Sequence, residues 1–305
     1  MQTAHDILCI GSVLWDIVGR APGPMVFGAD VPGRIRRIPG GVALNIAMGV
    51  RRFGMRPALI SAVGCDAEGD ELIAACGEMG LVCDYVLRDE HLPTDRYMAI
   101  EDVGGLVAAL ADAHSLEAAG ARILEALEDG RLGSAEAPYP GPIALDGNLT
   151  EPLLTEIAVR PTFAAADLRV APASPGKATR LRPLIGHPGV TFYVNLEEAG
   201  LILGTVFTSA DRAAEALIAA GVARALVTDG ARPVAEGRAE GVITDHPPVV
   251  TVTRITGAGD TLMAAHIAAD TRGMARDAAL AAALTAAATY VSGGDPSWTD
   301  AVAAP

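Results

Sequence analysis

The chain has 305 residues but few aromatics (4%), four cysteines and a single lysine, Lys177. Its 23 basic residues fall 14 short of its 37 acidic ones. A surface that acidic repels phosphate backbones, so general binding to nucleic acid or to an anionic membrane is not expected. One anion held in a local pocket is still allowed. Cys9, Cys65, Cys76 and Cys83 are too sparse for a disulfide framework and form no CxxC pair, which reads as reduced thiols of a cytoplasmic protein. Long apolar runs are missing too. The longest, about residues 278–291, is alanine-dominated and interrupted by two threonines, too weak to span a bilayer. Residues 1–6 carry no basic n-region, and the apolar stretch 7–18 is broken by Gly11, Ser12 and Asp16, so no secretory signal is expected. The six histidines are dispersed, with no pair at metal-ligand spacing. Neither GxGxxG nor GxxxxGK(S/T) occurs, which removes the main support for a nicotinamide-dependent oxidoreductase or a P-loop hydrolase.

What is present is an apolar chain, 50% hydrophobic, long enough to bury a sizeable core. β-rich runs alternate with helical stretches, the pattern of a parallel sheet flanked by helices. Strands are predicted at 6–10, 56–62, 142–145, 168–171, 190–194 and 224–228. Helices are predicted at 41–53, 68–79, 151–159, 196–203, 210–220, 258–271 and 275–291. Two segments break the alternation. Residues 31–38 follow the first strand with no helix between, and 94–111 read as two strands turning at Asp102-Val103-Gly104-Gly105. They form either a small separate sheet covering a pocket or an extension of the main sheet. No repeat and no linker is visible, so residues 1–305 are expected to form one domain.

Two glycine motifs carry the chemistry. Thr256-Gly257-Ala258-Gly259-Asp260 follows a β-like run, 249–252, and opens a helix. Small residues there let backbone N–H groups converge on an anion, and the helix N-terminus adds positive potential. An aspartate at that spot either caps the helix or takes a proton from a hydroxyl attacking a phosphoryl group. Gly40-Gly41-Val42-Ala43-Leu44-Asn45 also opens a helix, and reads either as a tight turn or as a polyol contact through Asn45.

Residues 40–70 together with Ile255-Thr256-Gly257-Ala258-Gly259-Asp260 closely resemble the two signatures of the ribokinase-like, or PfkB, carbohydrate kinases. Residues 11–16, Asn195-Leu196-Glu197-Glu198 and Thr228-Asp229-Gly230 extend the resemblance, in order, over nearly the whole chain. It implies a three-layer α/β/α sandwich with a central, mostly parallel sheet and a small β lid built from strands near 31–38 and 94–111. It implies that Asp260 is the general base, that Gly257, Ala258 and Gly259 form an anion hole, and that Asp16, Gly40, Gly41 and Asn45 hold sugar hydroxyls. Asn195 and Glu198 match an NxxE element that organises Mg2+, usually through water. Asn195, Thr228, Gly230, Thr256, Gly257 and Gly259 match the ATP contacts. A monovalent cation such as K+ is left open. In many relatives the lid also clasps a second subunit, so a homodimer through it is among the expectations.

The middle of the chain looks most like the pseudouridine kinases of that family. Thr94-Asp95-Arg96-Tyr97-Met98 with Asp112, Asp146-Gly147-Asn148-Leu149 and the segment 172–177 match three of their elements, adding Tyr97, Asp112, Asn148 and Lys177 to the substrate set. Leu44, Ala171, Phe192-Tyr193-Val194 and Arg254 depart from the usual pattern, around substrate and nucleotide rather than at the catalytic glycines and aspartate. The implied activity is ATP-dependent phosphorylation of a ribosyl nucleoside, with a kinase for a free sugar or another nucleoside, or a non-catalytic binding protein of the same fold, as alternatives. Arg254 is a candidate for added charge neutralisation at the phosphoryl group.

Overall fold

The computed structural model describes residues 5–28 and 30–297; residues 1–4 of the segment read for a secretory signal lie outside them. The chain opens with β1 (Ile7–Ile10), β2 (Leu14–Arg20) and β3 (Arg34–Gly40). Helix α1 (Val42–Arg52) leads to β4 (Pro57–Ile60), β5 (Ala62–Gly64) and α2 (Ala67–Glu78). Next come β6 (Leu87–Asp89), β7 (Arg96–Asp102), β8 (Gly105–Asp112), α3 (His114–Ala119) and a 3-10 stretch, Gly120–Leu127. Then follow β9 (Ile143–Asp146), α4 (Glu151–Val159), β10 (Leu168–Ala171), a second long 3-10 stretch, Pro175–Leu184, and β11 (Val190–Asn195). The remaining elements are α5 (Leu196–Leu203), α6 (Ala210–Ala219), β12 (Arg224–Thr228), β13 (Val234–Arg238), β14 (Gly241–Asp245), α7 (Ala258–Thr271) and α8 (Arg276–Val291).

Eight strands form the main sheet in the order β14-β13-β12-β11-β10-β9-β1-β4. From β4 to β12 every pairing is parallel, and β13 and β14 join antiparallel. Both faces are buried, because successive residues of a strand point to opposite sides. Leu8 and Ile10 pack with α4, α5 and α6, whereas Ile7 and Cys9 pack with α1, α2, α7 and α8. The helices read accordingly. In α6 the buried set Ala210, Ala213, Ala214 and Leu217 makes one stripe at i, i+3, i+4, i+7. In α7 every residue from Thr261 to Ala269 is buried, so this helix lies inside the layer rather than on it. This is the expected three-layer sandwich. No helix among the described residues is long and apolar enough to cross a membrane.

A second sheet, β3-β2-β7-β8, stands apart. The hairpin turn is where the sequence puts it, with Asp102 paired to Gly105 and its carboxylate accepting the Gly104 N–H at 2.7 Å. The strand expected at 31–38 runs instead over Arg34–Gly40, so Gly40 ends a strand rather than opening a helix. β2 went unread in the sequence; it pairs antiparallel with the next strand, β3, and parallel with β7, which lies far along the chain. The strand expected at 56–62 breaks at Ser61, whose hydroxyl donates to the Gly11 carbonyl at 2.6 Å, and its two parts enter different sheets. The β-like run 249–252 is not a strand: it has no pairing partner, and Val249 and Val252 are exposed. β-branched residues favour a strand only where a neighbouring edge and a buried face exist.

At the N-terminal ends of β10 to β12 a buried ionic network ties α7 to the sheet. Asp270 accepts from Arg169 (2.6 Å) and Arg224 (2.9 Å), and fully buried Glu236 accepts from Arg224 (2.8 Å) and Arg238 (2.7 Å). His266 Nε2 faces the Arg224 guanidinium at 2.8 Å. A guanidinium only donates, so Nε2 is the acceptor, and the neutral ring's proton sits on Nδ1, 2.8 Å from the Tyr193 hydroxyl. Burial is the main cause that lowers the His266 pKa to about 4 from its ordinary 6.5. The folded protein thus favours the neutral ring. The stability this contributes is complete above the unfolded value and is lost as pH falls from 6.5 towards about 4. Urea titrations across that window should therefore show stability falling with pH, and His266→Gln should remove up to about 1.4 kcal/mol per pH unit of the slope. Equal slopes for the two proteins would contradict the assignment.

Candidate active site

The site lies at the C-terminal ends of the parallel strands. β1 has β4 on one side and β9 on the other, so consecutive connections leave in opposite directions and a crevice opens between the ends of β1 and β9. Asp146, fully buried at the end of β9, fills the bottom of it. Its Oδ2 accepts from the Ser12 N–H (2.8 Å), the Ser12 hydroxyl (3.0 Å) and the Ala43 N–H (2.9 Å), and its Oδ1 from the Asn148 N–H (2.7 Å). Ser12 Oγ in turn accepts from the Val42 N–H and from Asn148 Nδ2, both at 2.8 Å. Asn148 Oδ1 accepts from Lys177 Nζ at 2.5 Å, and burial followed by the nearby Arg180 lowers the lysine's pKa.

Close approach explains the glycines. A Cβ on Gly11 would collide with the Asp146 carboxylate, one on Gly40 with the Asp16 carboxylate, and one on Gly41 with the Ser12 backbone carbonyl. Gly41 also sits at φ 99°, a backbone region that side chains resist. These contacts bring Asp16, Gly40, Gly41 and Ser12 together at the N-terminus of α1. From the second turn of that helix, Asn45 Nδ2 donates to Asp260 Oδ2 at 3.1 Å, joining α1 to the start of α7. Gly49 and Ala264 meet so closely between the two helices that no larger residue fits.

Both helices begin at a glycine with positive φ and no side-chain cap, Gly41 and Gly257. Their free ends differ. At α1 the N–H groups of Val42, Ala43 and Leu44 are taken by Ser12 and Asp146. At α7 the Ala258 N–H goes to the Ile255 carbonyl, while among the described residues no acceptor takes the N–H groups of Gly259 and Asp260. The second helix end is therefore the one open to an anion. Burial raises the pKa of Asp260 to about 6, with the Asp146 and Glu198 charges adding and the Asn45 hydrogen bond opposing. Burial likewise raises Asp16 to about 6.

Asn195 and Glu198 form a reciprocal capping box at the start of α5. Asn195 Oδ1 accepts the Glu198 N–H, and Glu198 Oε2 accepts the Asn195 N–H, both at 2.8 Å. The acid is buried rather than on the surface, and burial raises its pKa. Its Oε1 has no hydrogen-bond partner among the described residues, so it can face a hydrated cation. No group of three His, Cys, Asp or Glu residues is clustered as a metal-ligand set among the described residues. That donor set fits Mg2+, which keeps several waters and leans on phosphate oxygens rather than on a protein cage. Thr228 pairs with Asn195 across β12 and β11, and Gly230 follows with φ 60°.

Two candidates do not join the rest. Strand register puts Tyr97 beside Asp16 but Asp112 beside Arg96, on the opposite face of the small sheet, where it is exposed. Arg254 is already engaged by the end of α8 and the turn after it: its guanidinium stacks on Tyr290 and donates to the carbonyls of Tyr290 (2.8 Å) and Gly294 (2.5 Å). Thr256 is held from the same side, its carbonyl accepting the Tyr290 hydroxyl at 2.9 Å. Sequence reasoning missed Ser12 and Asp146 as site residues. Asp146 was signalled by the Asp146-Gly147-Asn148-Leu149 element, from which only Asn148 was taken, and Ser12 only by its place after a glycine at a strand end.

An open helix end with an aspartate beside it, next to a crevice lined by polar side chains, can hold a phosphoryl group near an attacking hydroxyl. Residues 4–297 match the pfkB family carbohydrate kinase profile, and the chain belongs to that family. It is 27% identical to the pseudouridine kinase of Escherichia coli over 271 residues, 87% of this chain and 83% of that enzyme. Among solved structures it is similar to a carbohydrate kinase from Agrobacterium tumefaciens, with a TM-score of 0.80 and 27% identity over 96% of this chain and 93% of the other. The Arabidopsis thaliana ribokinase complexed with ribose and ATP shares the fold, with a TM-score of 0.79 and 18% identity over 98% of each chain. The protein is an ATP-dependent phosphotransferase acting on a sugar or nucleoside.

The glycine geometry can be tested directly. Gly41→Ala should cost about 1–3 kcal/mol of stability, because it adds strain at positive φ and a collision with the Ser12 carbonyl. Gly259→Ala, whose Cβ would meet open space, should keep the wild-type denaturation midpoint. Equal midpoints for the two variants would contradict the packing described here.

Proposed function

We propose that residues 1–305 act as one kinase domain that transfers the γ-phosphate of ATP to the 5′-hydroxyl of a nucleoside, pseudouridine. The observation that carries the phosphoryl-transfer chemistry is Asp260 held by Asn45 at the open end of α7. Asp260 accepts the proton of the attacking hydroxyl, and the Gly259 and Asp260 N–H groups, with Gly257 and Ala258 shaping the turn, receive the negative charge that develops on the phosphoryl oxygens. Mg2+, when bound, neutralises phosphate charge, and Glu198 with Asn195 would organise its waters. Thr228, Gly230 and Thr256 line the nucleotide side. Asp16, Gly40, Gly41 and Asn45 hold the ribose, and Tyr97 borders it.

The choice of nucleobase is supported by Lys177, which donates to Asn148 in the chain that runs on to Ser12. It is supported too by the similarity to the E. coli enzyme. Pseudouridine offers a second ring N–H that uridine lacks, and a site that pairs with it leaves a buried group unpaired when the wrong base binds. The small sheet serves as the lid. Its apolar stripe of Ile35, Met98, Ile100 and Leu110, all exposed, receives a second copy of the chain. Four free thiols and the use of ATP go with a cytoplasmic location.

Two measurements test this reading. Asp260→Asn should lower kcat by about 10²–10⁴-fold with nucleotide binding kept, since an amide cannot take the proton. In the wild type, kcat should fall as pH drops below about 6, where Asp260 protonates. A loss under about tenfold would remove the general-base role. Separately, kcat/KM should be highest for pseudouridine in a panel with uridine, adenosine, ribose and fructose 6-phosphate. A match by uridine or ribose would leave the kinase and reject this acceptor.

A further inference from the structure

Asp146 is assigned no contact with substrate or phosphate itself, yet it holds together the segments that carry the assigned residues, Asn148 among them. It is fully buried and behaves purely as an acceptor, with four hydrogen bonds from three separate chain segments. Two come from Ser12, in the turn that leads four residues later to Asp16. One comes from Ala43, in the first turn of α1 and two residues before Asn45. One comes from Asn148, which carries the contact to Lys177. The fit is tight on every side: Gly11 has no room for a Cβ against this carboxylate, and Gly147 has none against the Pro172 carbonyl.

We propose that Asp146 is a positioning residue for the acceptor site, a buried carboxylate that docks the Gly11–Ser12 turn onto the N-terminus of α1 and thereby sets Asn45 against Asp260. The inference rests on the role given to Asp260 above. Three of the donors are backbone N–H groups, and the fourth is a hydroxyl already accepting two bonds, so no partner can exchange roles. An asparagine in the same space turns one of its two ends into a donor. Facing donors only, that end loses its bonds, and either Ser12 and Ala43 or Asn148 is released. The charge of Asp146 also bears on Asp260 electrostatically, as does that of Glu198 from α5, while Asn45 contacts it from α1. Removing the Asp146 charge therefore shifts the titration of Asp260 downwards.

The experiment compares wild type with Asp146→Asn and with Ser12→Ala and Ser12→Thr. Amide hydrogen exchange, which does not depend on any catalytic reading, should show faster exchange at Ser12 and Ala43 or at Asn148 in Asp146→Asn, with the sheet amides of β10 and β11 unchanged. Kinetically, Asp146→Asn should lose about 100-fold in kcat/KM for the acceptor, with ATP affinity kept and the acidic limb of kcat moved to lower pH. Ser12→Ala should share the loss and Ser12→Thr, which keeps the hydroxyl, should restore most of it. Unchanged exchange at these amides would overturn the docking role whatever the kinetics. Altered exchange with wild-type kcat/KM and an unmoved acidic limb would overturn the link to catalysis. An Asp260→Asn variant that stays active while Asp146→Asn shows the exchange change would instead fault the base assignment and leave the docking intact.

Discussion

The buried carboxylate of Asp146 is the constraint on which the site depends. Parallel strands that reverse their order leave a crevice at their C-terminal ends, and here the crevice lies between β1 and β9. Its walls are backbone: the turn after β1 and the first turn of α1. Each N–H buried there without a partner would cost about 1–3 kcal/mol. Asp146 meets those at Ser12, Ala43 and Asn148, and Ser12 meets the one at Val42. The glycines follow from the same contact, since Gly11 and Gly41 stand where the walls touch.

Filling one helix end makes the other the site. α1 and α7 lie side by side and start alike, from a glycine with positive φ and no capping side chain. At α1 the partial positive charge of the N-terminus is met by Asp146, so nothing there attracts a ligand anion. At α7 the N–H groups of Gly259 and Asp260 have no acceptor among the described residues, and the only acid in that first turn is Asp260 itself. Asp16, Asp146, Glu198 and Asp260 are all acids whose pKa burial raises, which makes the crevice costly for a triphosphate without a cation. The same burial makes the Asp260 carboxylate, raised to about 6, more basic than an exposed aspartate, which suits the general-base role proposed for it.

The parts of the fold legible in the sequence were those specified locally. The six parallel strands showed as apolar runs because both faces are buried, and α6 showed by its stripe. The glycine motifs marked both helix starts, because a residue at φ 99° or 89° is almost obliged to be glycine. What stayed hidden depends on pairings made outside the segment itself. β2 is a strand only because β3 and β7 lie beside it, and the valines at 249–252 are not one because no edge meets them. Asp112 matched a motif by spacing, but strand alternation decides its face, and that turns on a register the sequence does not print. The NxxE element was legible by spacing, and it folds as a helix cap whose acid is buried, a burial that spacing alone does not print.

Holding Asp260 in place also requires holding the far end of its helix. From Asp260 to Asp270 is ten residues, roughly 15 Å of helix. At that end Asp270 and His266 are bound to Arg169, Arg224 and Tyr193 of the neighbouring strands. Such a network adds little net stability over an apolar replacement, but breaking it strands a buried charge, so it fixes the helix in one register. The cavity of about 510 Å3 beside it is walled by these arginines, whose charge Asp167, Glu236 and Asp270 already offset. Along its middle, α7 has nine successive buried residues and touches α1 where Gly49 meets Ala264, leaving no slack for sliding. Asp260 thus stands at the end of a rod clamped at its far end and along its length, and only the first turn, with the Gly259 and Asp260 N–H groups unpartnered among the described residues, faces the crevice.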